Sequence, residues 1–511
     1  MNKKTNYKKK MEKGMKLIAF FPRPIIKIIE KLLRKSFTVQ KVINKQSESI
    51  ISDLRKSLKP YSGKLVAYSK LPEKGIKQNK VLQIIKNISS DEEFKWKNGY
   101  VSGAVYHGDI KHIEFMNKVY ALQSQSNPLH SDLFPSSSKF ESEIVSMTAE
   151  MLGSNKTDDE ICGTVTSGGT ESILLAMKTY RDKARKIKNI TKPEIIVPIT
   201  AHAAFNKAAE YFGIKIIRTK IDKNYKADIG EVKKMISSNT IAIIGSAVSF
   251  PHGIIDPIEK LSDIAQQHNI GFHVDACLGG YVLPWAKELG YSVPNFDFVL
   301  PGVTSISVDT HKFGYTAKGT SVILYRGKDL RKFQFYTITD WPGGLYFSPT
   351  FAGSRAGALS AICWAVLISI GKQGYRDSVS KILKSAKEIK QGINRIPELK
   401  ILGNPLWVIA FTSNSLNIYQ IMEYMTQRGW NLNALYKPKC IHICVTLRHT
   451  KNGVVKRFID DLQQSIQCVK KNPKEETGMA PVYGMTANLP LRGILDDILV
   501  EYLDMYYHVD E

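Results

Sequence analysis

The stretch Ser307-Val308-Asp309-Thr310-His311-Lys312-Phe313-Gly314 places a lysine just after a short β-rich run. Upstream, His273-Val274-Asp275-Ala276 places an aspartate at the end of another apolar run. A lysine amine can form a Schiff base with an aldehyde cofactor, and a carboxylate can keep a pyridine nitrogen protonated. Together the two stretches predict a pyridoxal-phosphate enzyme that acts on an amine, with Lys312 and Asp275 at its centre. Taken singly, Lys312 could be a surface lysine in a loop, and Asp275 could cap the following turn.

Predicted strands and helices alternate around these stretches from about residue 140 onward. Short apolar runs over 194–199, 240–248, 271–275 and 305–309 predict strands, and the helical patterns among them complete the alternation. This alternation is typical of an α/β fold with a mostly parallel central sheet and helices on both faces. Two long helical patterns over 356–370 and 378–393 then lead into a mixed region, which predicts a smaller lobe.

The length of 511 residues exceeds one ordinary domain. The sequence predicts four regions along the chain: a basic, partly disordered or amphipathic N-terminal tail over 1–60, an N-terminal segment with helix over 61–139, a large cofactor-binding domain over 140–355, and a small C-terminal α+β domain over 356–511.

The N-terminal tail carries about half of the formal net charge of +25, because residues 1–60 hold 17 Lys and Arg against four Asp and Glu. Its apolar residues from Ile25 to Leu33 alternate with cations, which predicts a helix that lies on a membrane surface or packs on protein. No apolar run near the start is long enough for a membrane span, and no signal peptide is expected. We therefore expect a cytoplasmic protein, with peripheral membrane contact through residues 1–60 left open.

Six scattered cysteines predict no disulfide framework and fit a reducing compartment. Cys440 and Cys444 flank His442, but no second cluster of ligands completes a metal site. A hydrophobic strand is the favoured interpretation, and no metal is expected.

The segment Thr166-Ser167-Gly168-Gly169-Thr170-Glu171-Ser172 follows a β-like run and opens a helix. Two glycines let backbone N–H groups approach a phosphate, and the helix N-terminus favours an anion. An ordinary helix N-cap is the alternative. The segment matches neither a Walker A motif nor a dinucleotide fingerprint.

His202, in Thr200-Ala201-His202-Ala203-Ala204-Phe205, follows the predicted strand over 194–199. Its flat ring could stack on a planar cofactor, although a packed core histidine is the alternative. The glycine turn, His202, Asp275 and Lys312 each stand at the end of a predicted βα unit, where ligands bind in open α/β sheets. This shared placement favours a single site.

The chain resembles the group II pyridoxal-phosphate-dependent decarboxylase superfamily, and within it the sphingosine-1-phosphate lyases of the soluble bacterial type. The resemblance runs from about residue 60 into the C-terminal lobe. It is carried by TSGGTESILLA (166–176), TAHAAF (200–205), FPHGIIDPI (250–258), HVDACLGG (273–280), DTHKFGYTAKGTS (309–321) and GGLYFSPTFAGSRAG (343–357). It implies the fold type I, transferase-like architecture and a homodimer with shared active sites.

The resemblance also implies roles for individual residues. Lys312 would bond the cofactor, His202 would stack on its ring and Asp275 would pair with the pyridinium nitrogen. The cofactor phosphate would be held by Gly168, Gly169 and Thr170, with His311 close by and with Gly353 and Ser354 reaching in from the neighbouring subunit. The substrate phosphate would meet Tyr106, His130 and Lys318, while Asn127, Tyr346 and Tyr483 would line the cleft.

The implied reaction cleaves the C2–C3 bond of a phosphorylated sphingoid base to a long-chain aldehyde and phosphoethanolamine. The base that takes the 3-hydroxyl proton stays open among Lys312, Tyr346 and the substrate phosphate. One alternative is an amino-acid decarboxylase on the same fold. A second is a membrane- or RNA-binding protein on a degenerate enzyme scaffold, although no zinc-finger or RNP-type motif supports RNA binding.

Overall fold

The structure is a computed structural model that describes residues 58–471 and 492–510, together with residues 52, 55 and 56. The predicted amphipathic helix near Ile25 and the predicted cleft residue Tyr483 lie outside the described residues. Within these limits the chain divides into two units. The larger unit comprises Trp96–Phe411 and His442–Ile459, and the smaller unit comprises the residues up to Lys95, Thr412–Ile441 and the residues from Asp460 onward. The predicted domain boundaries stay a prediction.

The larger unit contains a seven-stranded sheet. Its strands are β1 (Ile161–Thr166), β2 (Glu194–Pro198), β3 (Lys215–Thr219), β4 (Thr240–Ser246), β5 (Gly271–Asp275), β6 (Ser305–Val308) and β7 (Ser321–Arg326). The helices along this part of the chain are α1 (Gln78–Lys97), which begins in the smaller unit, α2 (Ile110–Gln123), α3 (Pro135–Met151), α4 (Gly169–Lys188), α5 (Ala204–Phe212), α6 (Ile229–Met235), α7 (Ile258–Gln267), α8 (Leu283–Glu288) and α9 (Lys328–Arg331).

The sheet has the strand order β1-β7-β6-β5-β4-β2-β3. Neighbouring strands are parallel from β6 to β3, whereas β7 is antiparallel to both β6 and β1. In the register, Asp275 lies opposite Ser307 and Ser246 lies opposite Asp275. The predicted α/β class with a mostly parallel sheet is confirmed.

The central strands form the core because their apolar runs are buried on both faces. Ile195 in β2, Ile243 in β4 and Phe272 in β5 are fully buried. Continuous apolar runs of this kind are typical of parallel strands that are covered by helices on both sides. Each such side chain contributes roughly 1.5–3 kcal/mol on burial, so these strands hold the loops that follow them in fixed positions.

One long helix, α10 (Gly357–Asn394), joins the two helical patterns that the sequence predicts, with a kink at Gly371, where φ is 59°. It packs against α2 and α3. Among the described residues it is the one helix with the length and apolar composition of a membrane span, but half of its most apolar window is buried inside the protein. We interpret α10 as a core helix.

The remaining elements include the antiparallel pair β8 (Tyr336–Ile338) and β9 (Tyr346–Ser348). The later strands are β10 (Leu399–Ile401), β11 (Val408–Ser413), β12 (Asn433–Tyr436) and β13 (Lys439–Cys444), and the later helices are α11 (Ile418–Gln427), α12 (Val454–Lys471) and α13 (Arg492–Tyr507). Cys440, His442 and Cys444 lie in β13, which confirms the predicted strand. Over the described ranges, no group of three His, Cys, Asp or Glu side chains is arranged to hold a metal ion.

Candidate active site

Four segments meet at the carboxyl ends of the sheet strands. Asp275 is the last residue of β5, and Lys312 lies four residues after the end of β6. The glycine turn at Gly168 follows β1, and His202 follows β2. Each strand therefore delivers one predicted group to the same edge of the sheet, which is where open α/β sheets bind ligands.

A cavity of about 370 Å³ lies at this edge. Seven of the predicted residues line it: Gly168, Gly169, Thr170, His202, Asp275, His311 and Lys312. The amine of Lys312 and the carboxylate of Asp275 thus share one cavity of a size that is ordinary for a bound cofactor.

The glycine turn is held in place by hydrogen bonds at the start of α4. The backbone N–H of Ser167 donates to Oε2 of Glu171 at 2.6 Å, and Thr166 and Ser172 bond through their hydroxyls at 2.7 Å. Because the first N–H groups of a helix have no partner within it, this end of α4 is suited to an anion.

Gly169 has no room for a side chain. A Cβ atom at this position would lie 2.6 and 2.8 Å from the two carboxylate oxygens of Asp309 and 2.8 Å from Sγ of Cys277. The first residue of α4 therefore lies directly against Asp309, and only glycine allows this approach.

Asp275 is 7 % exposed, and its Oδ1 accepts a hydrogen bond from the backbone N–H of Cys277 at 3.1 Å. Beside it, the buried ring of His273 lies between the hydroxyls of Ser305 and Ser307, and burial lowers the pKa of this histidine to about 4. A buried carboxylate is costly without a cation. A protonated pyridine nitrogen in the cavity would supply that cation.

Lys312 forms an ion pair with Asp309, whose Oδ2 lies 2.8 Å from Nζ. Burial alone would lower the pKa of Lys312, but the negative charge of Asp309 outweighs burial and the pKa is raised. For Asp309, burial acts to raise the pKa and the charge of Lys312 acts to lower it, with a net lowering. The pair is therefore ionised at neutral pH.

Two histidines border the same cavity. Nδ1 of His202 accepts a hydrogen bond from the backbone N–H of Ala204 at 3.1 Å, and its ring packs edge-on against Phe250. His311 donates from Nδ1 to the carbonyl oxygen of Thr320, so its Nε2 lies on the side of Asp309, 3.9 Å from Oδ2. Burial lowers the pKa of His311.

Lys318 lies over the ring of Tyr106, with Nζ 4.6 Å from the ring centroid, and donates to the carbonyl oxygen of His311 at 3.3 Å. Burial, together with the positive charge of Lys312, lowers the pKa of Lys318 to about 8. Tyr106 also packs edge-on against Phe313 at 4.9 Å. The structure thus brings two of the predicted phosphate ligands together beside the Lys312 loop.

Asn127, Gly353, Ser354 and Tyr346 form a second group, which we call the Asn127 group. The side-chain amide of Asn127 donates to Oγ of Ser354 at 3.0 Å, and a Cβ on Gly353 would lie 3.7 Å from the hydroxyl of Tyr346. His130 is exposed at the end of the short helical turn that Asn127 caps. None of these five residues is among those that line the cavity within the described chain.

Sequence reasoning missed Asp309, Cys277, Phe250 and Glu171, which also line the cavity. Glu171 bridges two segments, because its Oε1 accepts a hydrogen bond from the backbone N–H of Phe351 at 3.1 Å while Oε2 binds Ser167. The signal for Asp309 was present in the sequence, since a carboxylate three residues before a lysine in a turn can reach it.

The donor set fits pyridoxal phosphate. The cavity combines a lysine side chain that can bond an aldehyde, a buried carboxylate for the ring nitrogen and a helix N-terminus for the phosphate. At Gly168, the nearest atom to an added Cβ would be 3.7 Å away, on His311, so the turn leaves space in front of the helix. Fold and cavity together define the class of pyridoxal-phosphate-dependent enzymes with a mostly parallel sheet.

Comparison with known proteins identifies the family within this class. Residues 113–411 match the family model for the "Pyridoxal-dependent decarboxylase conserved domain". Sphingosine-1-phosphate lyase of Arabidopsis thaliana is 44% identical over 503 residues, covering 97% of this chain and 90% of the plant protein. The same enzyme of Dictyostelium discoideum is 46% identical over 444 residues, covering 86% and 82%. A solved Burkholderia pseudomallei sphingosine-1-phosphate lyase superposes with a TM-score of 0.82 at 39% identity, covering 88% of this chain and 99% of that one. The chain belongs to the sphingosine-1-phosphate lyase family.

Proposed function

We propose that this protein is a pyridoxal-phosphate-dependent carbon–carbon lyase. Its substrate is a phosphorylated sphingoid base, sphingosine 1-phosphate, and its products are a long-chain aldehyde and phosphoethanolamine. The observation that carries the proposal is that Lys312 and Asp275 line one cavity in a chain 44% identical to a sphingosine-1-phosphate lyase over 97% of its length.

The proposed roles follow from the groups at the cavity wall. Lys312 would hold the cofactor covalently, His202 would stack on its ring, and Asp275 would pair with its ring nitrogen. The start of α4, at Gly168, Gly169 and Thr170, would hold its phosphate, with His311 alongside. When bound, pyridoxal phosphate supplies an electron-withdrawing ring that accepts the electron pair of the breaking bond. The chain itself orients the substrate and supplies or removes protons. Tyr346 is the protein candidate for the 3-hydroxyl base, because the ammonium of Lys312, paired with Asp309, has no lone pair to accept a proton.

The function is tested by product identity. The purified, cofactor-loaded protein should convert sphingosine 1-phosphate to equal amounts of long-chain aldehyde and phosphoethanolamine, without carbon dioxide. Release of carbon dioxide from aromatic or acidic amino acids, with no aldehyde from the phosphorylated base, would overturn the proposal in favour of a decarboxylase.

We propose that Lys318 and Tyr106 bind the substrate phosphate. Lys318→Ala should raise KM for sphingosine 1-phosphate by roughly 10- to 100-fold, because a hydrogen bond to a charged group contributes about 1.5–3 kcal/mol. Turnover of an unphosphorylated amine should change little. Equal losses on both substrates would remove Lys318 from the phosphate site.

The dependence of kcat/KM on pH provides a second test of the role of Lys318. Its pKa is lowered to about 8, so its positive charge is present below this pH and is lost as the pH rises through it. The value of kcat/KM for the phosphorylated substrate should fall over that range in the native enzyme. In Lys318→Arg, which stays charged, the fall should move to higher pH.

We propose that the Asn127 group serves the cavity of a second copy in a homodimer. Support comes from its place outside the lining of its own cavity and from exposed apolar residues around the neighbouring β8–β9 hairpin. Trp341 is 51%, Leu345 74% and Phe347 65% exposed, an unusual surface for a free monomer. Through this contact Gly353 and Ser354 would reach the neighbouring cofactor phosphate, and His130 the neighbouring substrate phosphate.

Mixing two inactive variants tests this arrangement. Chains carrying Lys312→Ala and chains carrying Ser354→Trp should each be inactive as homodimers. Co-refolded in equal amounts, they should regain roughly one quarter of native activity, because half of the dimers would be mixed and each would hold one intact site. Mixtures no more active than the separate variants would place Ser354 in its own chain's cavity.

We propose further that residues 1–60 contact anionic membranes, where a lipid substrate resides. The support is the concentration of positive charge in this segment. The full chain should sediment with vesicles containing phosphatidylserine, and a chain beginning at residue 61 should not while keeping its turnover. Equal sedimentation of both would refute a role for the tail.

A further inference from the structure

Asp309 is a buried anion that lies beside the helix end where we expect a second anion, the cofactor phosphate, to bind. It is 3% exposed and follows directly after β6. One of its oxygens, Oδ2, binds Lys312. The other, Oδ1, is buried with no hydrogen bond within the described structure, while the nearby hydroxyl of Ser321 donates to the carbonyl oxygen of Val308 at 2.9 Å.

The first residue of α4 lies against this carboxylate, as the lack of space at Gly169 shows. The same helix end is the proposed holder of the cofactor phosphate. Two anions in one poorly solvated site repel each other, and a buried carboxylate whose oxygen lacks a partner is costly. Asp309 therefore depends on the positive charge of Lys312.

Lys312 in turn has one close anionic partner among the groups that act on it. Cys277, Cys444 and Tyr106 surround it, but burial raises their pKa values and they are neutral at pH 7. Nε2 of His311 lies 3.9 Å from Oδ2 of Asp309 and burial lowers the pKa of this histidine, while Lys318 adds a positive charge that opposes protonation of Lys312. Asp275 lines the same cavity. The ion pair at 2.8 Å with the buried carboxylate of Asp309 is thus what keeps Nζ of the half-buried Lys312 charged.

We infer that Asp309 is a positioning residue that holds Lys312 as an ammonium ion whenever Nζ is not bonded to the cofactor. This rests on the proposed function, because it takes Lys312 as the attachment residue. An ammonium group has no lone pair, so Nζ must lose one proton before it can bond an aldehyde. First capture of the cofactor is therefore coupled to the departure of a proton.

The ion pair between Asp309 and Lys312 also has a role during turnover. When the substrate's ammonium group gives up a proton and takes the place of the lysine on the cofactor, that proton would pass to Nζ, and Asp309 would hold the resulting ammonium in place. Once the C2–C3 bond has broken, the carbon bonded to the substrate nitrogen needs one proton. Transfer of the proton from Nζ to this carbon completes the product and leaves a neutral amine. Lys312 then has the lone pair that it needs to bond the cofactor once more.

The native, cofactor-free protein offers a first test that requires no variant and no activity. Lysines are labelled with acetic anhydride over a range of pH and quantified by mass spectrometry. Lys318 should label with a midpoint near pH 8, and Lys312 with a midpoint above that of an ordinary lysine, about 10.4. Labelling of Lys312 at or below the midpoint of Lys318 would overturn the inference.

Asp309→Asn provides the second test, because it removes the charge and keeps the shape. The labelling midpoint of Lys312 should fall by at least one pH unit, which raises its labelling at pH 8 by roughly tenfold per unit. Covalent attachment of added pyridoxal phosphate at neutral pH, followed by its absorbance, should become faster, and lyase turnover should fall. An unchanged midpoint in a variant that folds would refute the role of Asp309.

Asp256→Asn is the matched control. Asp256 is 1% exposed, accepts hydrogen bonds from the backbone N–H groups of Ala227 and Ser246, and is not among the residues that line the cavity. Its replacement should leave the labelling of Lys312 unchanged. If Asp309→Asn does not fold, the pH dependence of Lys312 labelling in the native protein still tests the inference. The labelling is independent of the proposed function, because a protein without lyase activity can still show the ion pair, and a lyase can lack it.

Discussion

Lys312→Ala should abolish lyase turnover and covalent cofactor attachment together. The loss of activity should be about a thousandfold or more, because no other lysine lines the cavity among the described residues. Without Lys312 the cofactor is not attached to the protein, so the substrate amine has no lysine to displace from it. The measurements are aldehyde formation, the absorbance of the bound cofactor and, after borohydride reduction of the native enzyme, mapping of the modified lysine. Native-like turnover in this variant would end the proposed mechanism.

The same variant should lose stability, which separates the ion pair from the chemistry. Removing Lys312 leaves Asp309 buried without a cation, at a cost of about 3–5 kcal/mol. Because the folded pKa of Asp309 is lowered, its ion pair stabilises the protein above the ordinary aspartate pKa and loses this effect as the pH falls through the folded value. The double variant Lys312→Ala with Asp309→Asn should therefore unfold at a higher denaturant concentration than Lys312→Ala alone.

Asp275→Asn should lower kcat by roughly 10²- to 10³-fold and weaken cofactor binding, because a neutral amide cannot keep the ring nitrogen protonated and loss of a buried charge pair costs about 3–5 kcal/mol. The asparagine oxygen can still accept the hydrogen bond from the N–H of Cys277, so the turn after β5 should survive. Cofactor affinity by titration and kcat by aldehyde release measure the effect.

Asp275→Glu is the control for charge. It restores the carboxylate with one additional methylene group, so part of the lost turnover should return if the charge matters. Equal kcat in the native protein and Asp275→Asn would mean that this carboxylate has no role at the cofactor ring.

Much of the fold could be predicted because the relevant signals are local. The run Gly271–Asp275 is a strand with the predicted bounds, and the helix predicted to open within residues 166–172 begins at Gly169. Apolar runs bounded by polar turns also indicated which residues would stand at strand ends. The sequence predicts two helices on either side of Gly371, because a glycine and polar residues interrupt the apolar pattern there, whereas the structure has one helix that continues through a kink.

Other features depend on contacts that no local pattern encodes. β7 runs antiparallel to both of its neighbours, β6 and β1. A sequence pattern predicts that a segment is a strand, but not which strands it pairs with or in which direction it runs. Asp309 is close enough in sequence to Lys312 for their contact to be local, but its closeness to Gly169 arises only when two distant segments meet in space. The separation of the Asn127 group from the cavity likewise depends on the path of the chain after β9.

The pairing of β1 with β7 has a consequence for how the protein is made. Ile161 lies opposite Arg326 in the register, so the strand that leads into the phosphate-binding turn acquires this neighbour only after a long stretch of later sequence has been synthesised. Contacts between such distant segments form late in folding. Chains that stop short of Arg326 should emerge from the ribosome with this strand unpaired. The turn that would bind vitamin B6 is then completed only after the nascent polypeptide has extended beyond Arg326.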